Sequence, residues 1–158
     1  MEIERRWLVE GWPALTPSSV LRMDQGYFAV RPAIRIRREA VLGGETRYVL
    51  CFKGGAGLAR EEVEVDVDEG RYLRLMAMLS GPMIEKERRY PLPGGLTLEV
   101  NQVDPALESG FYYAEVEFDT EAAALAWTPP EALTAYLSHE VTGQPGESMA
   151  AYWASTRG

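Results

Sequence analysis

At several places in its first 120 residues this chain sets charged side chains two positions apart. Glu2, Glu4 and Arg6 alternate with Ile3, Arg5 and Trp7, and the same spacing returns in Ile34-Arg35-Ile36-Arg37, Arg60-Glu61-Glu62-Val63-Glu64, Ile84-Glu85-Lys86-Glu87-Arg88, Leu98-Glu99-Val100-Asn101 and Ala114-Glu115-Val116-Glu117-Phe118. Successive side chains of a β-strand point to opposite faces, so each segment reads as a strand with a charged face. Such strands form an antiparallel sheet that either wets its charged face or curls until that face lines a lumen.

Period-two segments predict strands near 2–9, 25–30, 33–39, 46–53, 60–67, 84–90, 96–103 and 112–118. Gly43-Gly44, Gly54-Gly55-Ala56-Gly57, Pro93-Gly94-Gly95 and Ser109-Gly110 punctuate them as hairpin turns. Helical spacing takes over at 68–79, 121–127, 130–137 and 147–155. The fold class is therefore α+β, with the 158 residues forming a single domain, 1–158.

The formal charge of −8 argues against a nucleic-acid surface, which needs a clustered basic face. Charge inside a cleft is a separate matter, because net charge does not fix a local field. The one cysteine, Cys51, lies in the apolar run Tyr48-Val49-Leu50-Cys51-Phe52 and reads as a core thiol in a reducing compartment. No apolar stretch reaches membrane-span or leader length, so the expected location is the cytoplasm, with no membrane partner.

The charged faces, taken together, hold Arg6, Arg35, Arg37, Lys53, Arg60, Lys86 and Arg88 against Glu2, Glu4, Glu62, Glu64, Glu99, Glu115 and Glu117. A solvent-facing sheet accounts for this mixture as well as an enclosed lumen does. The chemistry favours a ligand: arginine forks grip phosphate oxygens in pairs, and glutamates offer the hard oxygens that Mg²⁺ or Mn²⁺ prefers.

In chain order these residues resemble the CYTH superfamily, the triphosphate tunnel metalloenzymes. Glu2-Ile3-Glu4-Arg5-Arg6 is similar to the family's opening Glu-x-Glu-x-Lys strand, and Gln25-Gly26-Tyr27 to its second strand. Ile34-Arg35-Ile36-Arg37 resembles its paired arginines, and Phe52-Lys53-Gly54 with Arg60-Glu61-Glu62-Val63-Glu64 its central hairpin. Lys86-Glu87-Arg88 resembles its Lys-x-Arg strand, Ala114-Glu115-Val116-Glu117-Phe118 its late acidic strand, and His139-Glu140-Val141-Thr142-Gly143 the stretch before its last helix.

The resemblance implies an eight-stranded antiparallel β-barrel tunnel with flanking helices. It implies that Arg35, Arg37, Lys53, Arg60, Lys86 and Arg88 bind the triphosphate, with Tyr27 as a secondary contact. Glu2, Glu4, Glu62, Glu64, Glu115 and Glu117 would hold Mg²⁺ or Mn²⁺, and Glu2, Glu4 and Arg6 would take part in catalysis. The expected activity is metal-dependent hydrolysis of inorganic tripolyphosphate or a related triphosphate by a triphosphatase. A class IV adenylyl cyclase and a non-catalytic polyphosphate or nucleotide binder are the alternatives, and a homodimer stays open.

The sequence departs from the family pattern at three places. Arg6 stands where the family carries lysine, keeping the charge while being unable to give up its proton. Asn101 replaces an aspartate, and Gly146-Glu147-Ser148-Met149 lacks the usual closing pattern. His139, the only histidine, reads as a surface residue, and Trp7, Trp12, Trp127 and Trp153 as wall and helix packing.

Overall fold

A computed structural model describes residues 1–157. Its strands are β1 Glu2–Val9, β2 Ser19–Val30, β3 Ala33–Val41, β4 Thr46–Gly54, β5 Ala59–Asp66, β6 Met83–Pro91, β7 Thr97–Val103, β8 Phe111–Glu117 and the short β9 His139–Glu140. The order β5-β4-β3-β2-β6-β7-β8-β1 is antiparallel throughout, and β1 also pairs with β5, which closes eight strands into a barrel. The seam is short: only Glu2↔Arg60 and Ile3↔Ala59 join β1 to β5, and further along the same strand β9 pairs at Trp7 and Leu8.

All eight expected strands form. β2 begins at Ser19 rather than 25, because Ser19 to Gln25 pair with β6 before the charged alternation is visible. The helix expected at 130–137 is a 3₁₀ turn over Glu131–Leu133 instead. Pro129 and Pro130 start it from extended backbone, and the chain reaches β9 before a longer helix can form. Helices α1 Glu69–Met76, α2 Glu121–Ala126 and α3 Met149–Arg157 complete the fold. The Asp68 carboxylate and the Thr120 hydroxyl cap the first two by accepting the Arg71 and Ala123 amides. No described helix is long and apolar enough to cross a membrane.

The larger core lies outside the barrel wall. Trp7, Tyr90, Leu98, Val100, Ala114, Val116 and Phe118 turn outward and pack beneath Ala124, Leu133 and Leu137. Arg5, on the same outer face, pairs with Glu140 at 2.8 Å and donates to the carbonyls of Ala124 and Trp127 at 3.0 and 2.6 Å, tying β9 and α2 to β1. A second cluster of Tyr27, Met83, Val103, Tyr113, Met149 and Trp153 lies where α3 meets the barrel. Gly26 lets α3 approach, since a Cβ there would stand 2.5 Å from Leu79 and 3.0 Å from Trp153. Putting the apolar packing outside and beneath α3 leaves the lumen to charge.

Candidate active site

The lumen is a cavity of about 1170 Å³. It receives Glu2, Glu4 and Arg6 from β1, Arg35, Arg37 and Glu39 from β3, Cys51 and Lys53 from β4, and Arg60, Glu62 and Glu64 from β5. Glu85, Glu87 and Arg89 enter from β6, Glu99 from β7, and Tyr113, Glu115 and Glu117 from β8. The structure thus brings together every expected acid and Arg6, Arg35, Arg37, Lys53 and Arg60. Tyr27 reaches the lumen as well, 7% exposed with its ring 6.2 Å from that of Trp153.

Lys86 and Arg88 do not join them, which corrects their expected place among the phosphate contacts. They sit on the outer wall with Arg22, and the Arg88 guanidinium lies 4.2 Å over the Trp12 ring. The cause is strand parity. Both faces of β6 are charged, so the spacing alone was ambiguous; Tyr90, which shares parity with Lys86 and Arg88, is buried in the outer core, and Met83, Glu85 and Glu87 are buried on the other face. That outward tyrosine is the signal that would have found Glu85, Glu87 and Arg89.

Around the seam the charges interleave. Lys53 Nζ stands 2.8 Å from Glu2 and 3.4 Å from Glu62, while Arg60 is 3.9 Å from Glu2 and 3.6 Å from Glu4. Burial works against Lys53 keeping its proton, but Glu4 and Glu2 outweigh it and raise its pKa. For Glu2 burial is likewise outweighed, here by Lys53, and its pKa falls.

Elsewhere the carboxylates crowd. Glu4 pairs directly with Glu117 across β1 and β8, and Glu99 with Glu115 across β7 and β8. Burial, then the charges of Glu115 and Glu2, hold Glu4 well above the ordinary carboxylate range. Burial, with Glu87 and Glu115, pushes Glu99 to about 9, and burial with a hydrogen bond to Glu2 pushes Glu62 to about 7. Like charges directly opposite in a ladder are destabilising unless something neutralises them. A hard divalent cation would do so, since oxygen is the donor that such an ion prefers. Cys51 Sγ lies with Glu62 and Glu64 in a set whose donor atoms are within 4.8 Å of one another. Burial raises the Cys51 pKa, so its thiol stays protonated.

The arginines divide by what they already hold. Arg37 is engaged on all three nitrogens: Nε donates to Gln25, Nη1 to Glu39 at 3.3 Å and Nη2 to Glu85 at 3.3 Å. Arg6 leaves Nε and Nη2 buried with no partner, and Arg35 leaves Nε so. The nearest carboxylate to Arg6 is Glu115 at 3.8 Å, and its guanidinium lies 3.9 Å over the Tyr113 ring. Asn101 faces inward from β7, buried, with neither amide atom hydrogen-bonded.

No protein-family model matches the chain. An inorganic triphosphatase of Nitrosomonas europaea is 32% identical over 133 residues, spanning 82% of this chain and 83% of its own. A solved inorganic triphosphatase structure superposes with a TM-score of 0.67 at 25% identity, covering 100% of this chain and 97% of that one. A Hippeastrum protein of adenylyl cyclase type, described as having a dominant triphosphatase activity, superposes with a TM-score of 0.64 over 99% of this chain and 97% of its own; at 17% identity it speaks for the fold alone. The barrel closure and the sequence relationship agree, and this chain belongs to the inorganic triphosphatase-like family of the CYTH superfamily.

Proposed function

We propose that this protein hydrolyses inorganic tripolyphosphate, or a closely related triphosphate, inside its tunnel. The observation that carries this reading is the pair Arg6 and Arg35, which line the lumen and each keep buried guanidinium donors with no hydrogen-bond partner. A buried unsatisfied donor is costly, and phosphate oxygens would satisfy it with charge-assisted bonds. Lys53 and Arg60 add compact and forked positive charge at the seam.

In this mechanism Arg6, Arg35, Lys53 and Arg60 hold the phosphate chain extended. Glu2, Glu4, Glu62, Glu64, Glu115 and Glu117 are the residues that would hold Mg²⁺ or Mn²⁺. When bound, such an ion supplies charge neutralisation at the phosphoryl oxygens. Acids of the same set orient a water against the terminal phosphorus; the water's oxygen bonds to that phosphorus as the bond to the bridging oxygen breaks, and its proton passes to one of these carboxylates, giving orthophosphate and pyrophosphate. Arg6 stabilises developing charge and does not act as a base, because a guanidinium keeps its proton. Residues 1–158 act as one tunnel domain, and the buried lone thiol suits the reducing cytoplasm.

The test is phosphate release from tripolyphosphate, ATP and thiamine triphosphate with Mg²⁺ or Mn²⁺, using Glu4→Gln as the control. Turnover of tripolyphosphate that is lost in the control supports the reading. Pyrophosphate with cyclic nucleotide from ATP would instead identify a cyclase, and binding without turnover a binding module.

A further inference from the structure

We propose that Glu85 is a positioning residue whose buried charge aims Arg6 into the tunnel; this rests on the triphosphatase reading. Glu85 is fully buried at 0% exposure and carries three partners. Its Oε2 accepts Gln25 Nε2 at 2.8 Å and Arg37 Nη2 at 3.3 Å, and its Oε1 accepts the Tyr113 hydroxyl. Gln25 closes the ring by accepting Arg37 Nε, so its amide has one orientation that serves both neighbours.

The network has two outputs. It locks Arg37 against the wall with every nitrogen occupied, and it pins the Tyr113 ring on which the Arg6 guanidinium rests at 3.9 Å. Arg6 has little else to fix its direction, since Glu115 stands at 3.8 Å and Nε and Nη2 are unpartnered. If the Tyr113 ring were free to tilt, Arg6 could swing to satisfy those donors on the neighbouring acids Glu4 and Glu115, and the edge meant for phosphate would be lost.

A purely structural role explains the arrangement less well. Buried ion pairs are weak stabilisers compared with apolar packing, and the polar ring here links two strands that carry lumen arginines, β1 and β3, through β8, β6 and β2. Positioning explains why charge is spent there: small displacements of a binding group cost large factors in rate.

The experiment compares wild type with Glu85→Gln, Tyr113→Phe and the double variant, in kcat and KM for tripolyphosphate and in calorimetric affinity of the metal-free protein for tripolyphosphate. Glu85→Gln should raise KM and weaken binding by about tenfold with kcat falling less, and Glu85→Asp should recover part of it. Tyr113→Phe keeps the ring and its packing, so it reports the hydroxyl anchor even if Glu85→Gln folds poorly. The double variant should be no worse than the more impaired single variant, as expected for two members of one chain of contacts. Unchanged KM and affinity in both single variants, or effects that simply add, would overturn the positioning role while leaving the triphosphatase reading intact. A wild type that neither binds nor cleaves tripolyphosphate would overturn both.

Discussion

Glu4 of β1 stands directly opposite Glu117 of β8, so two carboxylates share one rung of the tunnel wall. Their cost is visible in protonation. Glu4, Glu62, Glu99 and Glu117 are all raised from the ordinary value of 4.5, chiefly by burial and then by neighbouring acids, with Glu62 at about 7 and Glu99 at about 9.

A carboxyl whose folded pKa exceeds its unfolded one contributes stability that is full below the unfolded pKa and is lost as pH rises through the folded one. The metal-free protein is therefore expected to lose stability from about pH 5 to pH 9, as Glu62 and then Glu99 must ionise against their neighbours. A fall in Tm on the order of 5 °C is the scale for a chain of this size. Mg²⁺ or Mn²⁺ should raise Tm more at pH 9 than at pH 5. A thermal scan that rises or stays flat over that window, or a metal effect independent of pH, would count against an acid-built cation site.

The arginines should separate in mutagenesis. Arg6→Ala and Arg35→Ala remove unfilled donors, so they should raise KM for tripolyphosphate by about tenfold or more and cost less stability than Arg37→Ala. Arg37→Ala leaves Glu85 buried without its cation and should destabilise by about 3–5 kcal/mol. Kinetics and urea unfolding of the three variants measure both effects; equal destabilisation by all three would remove the distinction.

Lys86 and Arg88 are outside the tunnel, so Lys86→Ala should leave kcat and KM within about twofold of wild type. Arg88→Ala loses its contact with the Trp12 ring, and the cost is about 0.5–1 kcal/mol of stability. A large rise in KM for Lys86→Ala would show that β6 is turned the other way.

The C-terminal helix is fastened by Asp104, whose carboxylate accepts the Ile84 amide at 3.0 Å, the Tyr152 hydroxyl at 2.7 Å and the Arg157 guanidinium at 3.0 Å. Asp104 adopts a φ of 44°, which asparagine also tolerates, so Asp104→Asn isolates the charge from the backbone. Loss of this nearly buried pair should cost about 2–3 kcal/mol and free α3 before the barrel. Proteolysis or hydrogen exchange at 149–157 checks it, and unchanged protection there would refute the fastening.

Much of this was legible in the residues. Period-two spacing located all eight barrel strands, and the acidic positions of β1, β5 and β8 line the lumen that the family resemblance implied. What failed was parity on β6, where charge lies on both faces and only Tyr90 and Met83 tell inside from outside. Also hidden was Glu85, because a buried acid is spelled the same way as an exposed one; its neighbours Gln25, Arg37 and Tyr113 come from three other strands. The 3₁₀ turn at Glu131–Leu133 was misread because apolar spacing over so few residues does not set helix length.

The seam between β1 and β5 has a consequence for how the tunnel breathes. Two ladder rungs and the Glu4 amide's bond to the Leu58 carbonyl close it where six rungs join β1 to β8, and the side chains that bridge it are Lys53 and Arg60 reaching Glu2 and Glu4. The line along which this wall is easiest to part is therefore the line that would grip phosphate and cation. A bound triphosphate would span both banks and act as a fastener, so occupancy and wall integrity are linked: ligand binding should slow amide exchange at Ile3 and Arg60 more than anywhere on the six-rung side.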